Sequence, residues 1–186
     1  MVSEDLASRL EASAAEIVIG PRSGSKTENL TIPEGLAPGA LRDLLNLNVV
    51  RVESLGPGVM HQGELDNGET FVVENWLEHV ICPMAPEIIY APGGPAVLRN
   101  ENAVYLPVWS DENLLQYVLK EAVRRADLPM FELPEGLRLR RSGDLVFATN
   151  YGQRKNLEDL GIGPEDGNFL YGAADIARAG VSIWRD

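Results

Sequence analysis

The sequence predicts an α/β fold, a sheet with helices, followed by a small antiparallel β unit, and three observations predict it. A short apolar run, Val104 to Trp109, feeds residues with the apolar recurrence of a helix that extends to Arg125. Near the N-terminus a helical stretch leads into a second short apolar strand, Glu16 to Gly20, which makes half of an α/β repeat. Past Leu133-Pro134-Glu135-Gly136 the helical periodicity stops and alternating strand patterns replace it, which places a domain boundary there.

Taken in order, Ser3 is positioned to cap a helix from about Glu4 to Ala15, with Leu6 and Leu10 on one face. The loop Pro21 to Asn29 leaves the C-terminal end of the first strand, where open α/β sheets place ligand sites. It lacks the Gly-x-x-x-x-Gly-Lys-Ser/Thr spacing and no strong helix follows it directly, so it reads as a surface or interface loop rather than a phosphate cradle. Residues 31 to 42 are too rich in Pro and Gly for regular structure and connect to a short helical turn around Leu41 to Leu45. Asn48 to Leu55 alternates as a strand, with Glu53 falling on its solvent face, and Gly56-Pro57-Gly58 ends it. Asp66-Asn67-Gly68 is a turn before a run from Glu69 to Val80 that starts with the β-rich Phe71-Val72-Val73.

Pro83, Pro86 and Pro92 bracket a strand from Glu87 to Tyr90. Ala96 to Leu98 and Ala103 to Leu106 form a hairpin around Arg99 to Asn102. The central helix has Ser110 as its expected cap, Asp111 and Glu112 at its positive end, and Arg124 and Arg125 at its negative end. Its apolar face is Leu114, Leu115, Val118, Leu119 and Ala122. In the second unit, Leu137 to Arg141 and Leu145 to Gly152 flank the turn Ser142-Gly143-Asp144, with the arginines on the wet face of an edge hairpin. Phe169 to Tyr171 and Gly180 to Trp184 close that unit, with Trp184 as its core plug.

With 16 Lys and Arg against 28 Asp and Glu, the formal net charge of -12 repels phosphate backbones and anionic lipid, so neither nucleic acid nor a membrane is an expected partner. Cys82 is the only cysteine, which excludes an internal disulfide and a Cys-rich metal site. The N-terminus lacks a signal peptide's apolar core, and the expected setting is cytoplasmic. Cys82 precedes Pro83 without a following helix to supply oxyanion donors, so its proximity in sequence to His79 does not make a thiol nucleophile. Asn100-Glu101 sits at a hairpin turn, where water keeps the acid ionised and unsuited to general-acid work. No catalytic residue, metal site or cofactor is expected.

Several motifs carry a resemblance. Ile19-Gly-Pro-Arg-Ser-Gly-Ser-Lys-Thr-Glu28, Ile32-Pro-Glu-Gly-Leu36, Arg51-Val-Glu-Ser-Leu-Gly-Pro-Gly58, Tyr105-Leu-Pro-Val-Trp109, Leu133-Pro-Glu-Gly-Leu-Arg138, Gly143 to Gly152 and Ala179 to Arg185 occur in one order along nearly the whole chain. As a set they resemble the C-terminal part of glycoside hydrolase family 42 β-galactosidases. That resemblance implies a partial flavodoxin-like domain, a parallel sheet with helices similar to class I glutamine amidotransferases, over 1–130, and a small antiparallel C-terminal β domain over 134–186. It further implies a trimer, and an active site in a (β/α)8 barrel holding two catalytic glutamates that have no counterpart here. The first strands of the middle domain are also expected to be missing, which would leave an open sheet edge. Thr149, where members commonly have an aromatic residue, and the loop Gln153 to Asn168 depart from the family pattern.

The resulting expectation is a non-catalytic region of a β-galactosidase that assembles as a homo-oligomer or with a separately encoded barrel. Arg22, Ser23, Ser25, Lys26 and Glu53 are its candidate interface or pocket-wall residues. The competing expectations are a carbohydrate- or partner-binding module using Trp76, Trp109 or Tyr151, and a small enzyme built on the Arg22 to Lys26 loop.

Overall fold

The computed structural model describes residues 1–130 and 133–185, so position 186 of the expected terminal unit lies outside the described residues. The chain divides into two compact units, Met1–Met130 and Phe131–Asp186.

The first unit opens with α1 (Glu4–Glu11), where the Ser3 hydroxyl accepts from the Leu6 N–H at 3.2 Å. The helix ends earlier than its expected limit at Ala15, and the cause is tertiary. The Asn102 amide donates to the carbonyls of Ser13 and Ala15 at 2.9 and 2.7 Å, and Ser13 Oγ accepts from the Ala15 N–H, so this backbone is held outside the helix. Ala7 is buried and Leu6 exposed, so the buried face is offset from the expected one.

The strands of this unit are β1 (Ile17–Ile19), β2 (Asn48–Ser54), β3 (Met60–Glu64), β4 (Thr70–Ile81), β5 (Ile88–Tyr90), β6 (Gly94–Asn100), β7 (Ala103–Tyr105) and β8 (Val108–Ser110). Their order is β1-β7-β6-β5-β3-β4-β2, with β8 also on β4. Among the described strands only β1 and β7 run parallel; every other pairing is antiparallel. The expected parallel sheet is therefore corrected to a mixed one. Short connections such as Asp66-Asn67-Gly68 and Glu101-Asn102 can join only antiparallel neighbours.

The sequence did not reveal β3, whose residues Met-His-Gln-Gly-Glu carry no apolar alternation. It continues the direction of β2, and both pair with β4 in one long hairpin closed at Asp66-Asn67-Gly68. Gly63 is required there by close approach, since a Cβ would lie 2.2 Å from Cζ of Phe71.

The stretch before the central helix is two strands rather than one, because Pro107 has no N–H for a ladder. The Leu106 N–H donates to Ile19 and the Pro107 carbonyl accepts from Glu78, so the chain passes here from one neighbour to another. In α3 (Glu112–Arg125) the cap is Asp111, not Ser110. Asp111 Oδ1 accepts from Leu114 and Oδ2 from the Val72 N–H at 2.9 Å, fixing the helix to β4. Leu114, Val118 and Ala122 are buried while Leu115 and Leu119 stay exposed, a narrower stripe than expected.

Two cores lie on opposite faces of the sheet. Val104 joins Phe71, Val97, Leu114 and Val118 under α3. Its neighbours in β7, Ala103 and Tyr105, join Ala7, Ile17, Leu41 and Leu45, residues of α1, of β1 and of the helical turns ending in α2 (Arg42–Leu45).

The second unit has a sheet in the order β13-β10-β9, from β9 (Leu137–Ser142), β10 (Leu145–Asn150) and β13 (Gly180–Arg185), and a small pair, β11 (Lys155–Asn156) with β12 (Asp175–Ile176). Arg138 and Arg140 are exposed on the edge strand β9, as the alternation predicts, and Arg141 is exposed as well although the alternation groups it with Leu137 and Leu139. Trp184 is 3% exposed among Leu137, Ala148, Leu157 and Ile176. The strand expected at Phe169 to Tyr171 reduces to a single bridge between Tyr171 and Ile183.

Candidate functional site

The loop after β1 is fixed from below by a buried carboxylate. Glu78 in β4 is 4% exposed. Its Oε1 accepts from the Arg22 N–H at 2.9 Å and from Trp76 Nε1 at 3.2 Å, and its Oε2 accepts from the Tyr105 hydroxyl. Burial, and then the charge and hydrogen bond of Glu78, push the Tyr105 hydroxyl far above the usual phenol range, so it remains a donor. Arg22 is exposed, holds a left-handed φ of 66°, and lays its guanidinium 4.8 Å from the centroid of the Trp76 ring.

The other candidates are not gathered with it. Ser23 and Ser25 are half-buried beside Gly24, whose φ is 68° and where a Cβ would stand 1.8 Å from the Pro38 carbonyl oxygen. This position needs glycine on both counts. Lys26 lines a cleft of about 730 Å³ with Glu4, Thr31 and Arg42. Arg42 donates through Nη2 to the Leu36 carbonyl at 2.6 Å, while its Nε is buried without a partner. Glu53, on β2, accepts from Arg51 Nη2 at 3.0 Å and pairs with His79 Nε2 at 3.1 Å. The hydrogen bond with His79 and the charge of Arg51 hold its carboxyl below the usual range.

Cys82 Sγ donates to the Met84 carbonyl at 3.4 Å, His79 is engaged with Glu53, and His61 stacks on Tyr90 at 5.3 Å, so the thiol has no imidazole beside it. Among the described residues no three His, Cys, Asp or Glu side chains gather as a metal site requires. No helix among them is long and apolar enough to cross a membrane. Of the aromatic candidates, Trp109 is 54% exposed and Tyr151 belongs to the other unit. Trp76 is half-buried, with Arg22 across one face.

Glu78, Tyr105 and Arg42 were not singled out from the sequence. A signal for the first existed: Trp76 and Glu78 stand two apart in a strand and so share a face, placing an acid beside an indole N–H.

Residues 1–129 match the family described as the β-galactosidase trimerisation domain. The chain belongs to that family. β-Galactosidase BgaA of Thermus sp is 41% identical over 170 residues, 91% of this chain and 26% of the relative. The β-galactosidase of Thermus thermophilus is 37% identical over 186 residues, 100% of this chain and 28% of its own length. The crystal structure of the β-galactosidase from psychrophilic Marinomonas ef1 superposes with a TM-score of 0.85 and 29% identity, covering 100% of this chain and 28% of that one. The chain thus spans little more than a quarter of the relatives it matches. The resemblance to family 42 β-galactosidases carried by the motifs holds, and the matched region is a non-catalytic, trimerisation part of such an enzyme.

Proposed function

We propose that this chain is the assembly part of a β-galactosidase, joining copies of itself into a trimer and contributing to the surroundings of an active site carried by a (β/α)8 barrel. The observation that carries this reading is a coincidence of limits: the trimerisation match covers 1–129 and the first compact unit is Met1–Met130. On this reading the first unit is the later part of a flavodoxin-like, class I glutamine amidotransferase-like domain. The parallel pair β1 and β7, with helices on both faces, is what supports that. Residues 134–186 act as its small C-terminal β domain. Arg22, Ser23, Ser25, Lys26 and Glu53 are interface or pocket-wall residues, the setting is cytoplasmic, and the whole enzyme hydrolyses terminal β-D-galactosides.

The test is light scattering on the purified chain together with hydrolysis of a chromogenic β-galactoside, by the chain alone and mixed with a separately produced barrel from the same source. The expected result is a homo-oligomer that is inactive alone and active with the barrel. A clean monomer at high concentration overturns the assembly role, and hydrolysis by the chain alone overturns the non-catalytic one.

A further inference from the structure

We infer that Arg22 is a preformed hook for association: its guanidinium, spread on Trp76, receives a surface carboxylate of a second copy of this chain. This deepens the assembly reading and rests on it.

The first ground is the pairing of the arginines. In the first unit Arg9 pairs with Asp5, Arg51 with Glu53, Arg99 with Glu16 and Glu87, Arg124 with Glu121, Arg125 with Glu87, and Arg42 donates to the Leu36 carbonyl. Arg22 alone among them has a ring as its partner, with no described carboxylate or carbonyl at its guanidinium. In a chain with 28 acids and 16 bases, an arginine left without an acid is not explained by shortage of acids.

The second ground is conformation. A non-glycine residue at φ 66° is strained, and such residues persist where the surroundings over-determine them. Here the Arg22 N–H is held by the buried Glu78, which is held in turn by Trp76 and Tyr105. The anchored backbone fixes where the side chain leaves the loop, and the Trp76 face holds its guanidinium before any partner arrives, which reduces the ordering cost of binding. Spread on an indole face, the guanidinium still has edge N–H groups to offer, and their fork matches a carboxylate in two parallel hydrogen bonds.

The third ground is complementarity. A second copy carries a net charge of -12, so the group it most readily offers an arginine is a carboxylate.

The test compares the wild-type chain with Arg22→Gly and Arg22→Lys by sedimentation velocity and light scattering across protein concentration, at low and high salt. Glycine accepts the left-handed backbone and keeps the N–H to Glu78, so Arg22→Gly removes the guanidinium without removing the anchor. The expected result is wild-type association whose advantage over Arg22→Gly shrinks with salt, an Arg22→Gly variant that at low salt associates at least about tenfold more weakly with an unfolding midpoint no lower than wild type, and an intermediate Arg22→Lys. Arg22→Gly assembling like the wild type overturns the hook and leaves the assembly reading standing. A monomeric wild type overturns both.

Discussion

The Tyr105 hydroxyl donates a hydrogen bond to Oε2 of Glu78, the one buried charged side chain among the described residues. The pair joins the strand that carries Trp76 to the parallel partner of β1, so the loop after β1 sits on a braced foundation. Tyr105→Phe keeps the ring among Ile17, Leu45 and Leu98 and removes only the donor. The buried oxygen then lacks one partner, and the expected loss of stability is about 1–3 kcal/mol. Urea unfolding, read as a lowered midpoint at constant slope, checks this. An unchanged midpoint would mean that Glu78 finds water when the hydroxyl is gone.

Gly63 and Phe71 occupy one space from opposite strands of the β3–β4 hairpin. With a Cβ at residue 63 only 2.2 Å from Cζ of Phe71 and 2.7 Å from the Ile89 carbonyl oxygen, Gly63→Ala forces the ring to move. The expected cost is about 1–3 kcal/mol, as for other overpacked cores. Phe71→Leu in the same chain vacates part of the ring's space, so the double variant loses less than the sum of the two singles. Strict additivity in a double-mutant cycle would rule out the steric account.

These two pairs also separate what the sequence displays from what it hides. Ser3, the Asp66-Asn67-Gly68 turn, Arg138 and Arg140 of β9 and the burial of Trp184 act locally or through periodicity, and each is legible in its own few residues. β3 is not legible because its stability lies in pairing with β4 and β5, not in an apolar alternation. The early end of α1 comes from Asn102, far along the chain, and the transfer of the cap from Ser110 to Asp111 is accompanied by a bond to Val72. The candidate site follows the same division. Arg22 was visible as a loop cation, whereas its anchor needs residues 22, 76, 78 and 105 together.

The Glu53, His79 and Arg51 cluster gives a pH dependence with a definite sign. The folded carboxyl titrates below its unfolded value because of its hydrogen bond with His79, with the charges of Arg51, His79 and His61 adding to this. Its contribution to stability is therefore present above the unfolded carboxylate pKa and is lost as pH falls through the folded one. In His79→Ala the largest of these causes is removed, and the Glu53 titration moves upward. Carboxyl NMR across the acid range measures this, and an unmoved Glu53 midpoint would assign the depression to Arg51 instead.

Trp184 bears a large share of the second unit's core, packed edge-on to Phe169 with centroids 5.7 Å apart and planes at 74°. So small a unit has little apolar area in reserve, and the core around this ring has few other large members: Leu137, Leu157 and Ile176. Trp184→Ala removes the indole and leaves a cavity that β10 and β13 cannot both close on while keeping their register, for an expected cost of about 3–5 kcal/mol. A loss of that size is comparable to the whole stability of a domain this small. Amide exchange in Trp184→Ala should therefore lose protection throughout β10 and β13, while β6 and β7, whose cores contain no residue of the second unit, keep theirs. Trp184→Phe, retaining an aromatic plug against Phe169, should recover most of that protection; if it recovers none, the indole has a role beyond filling the core.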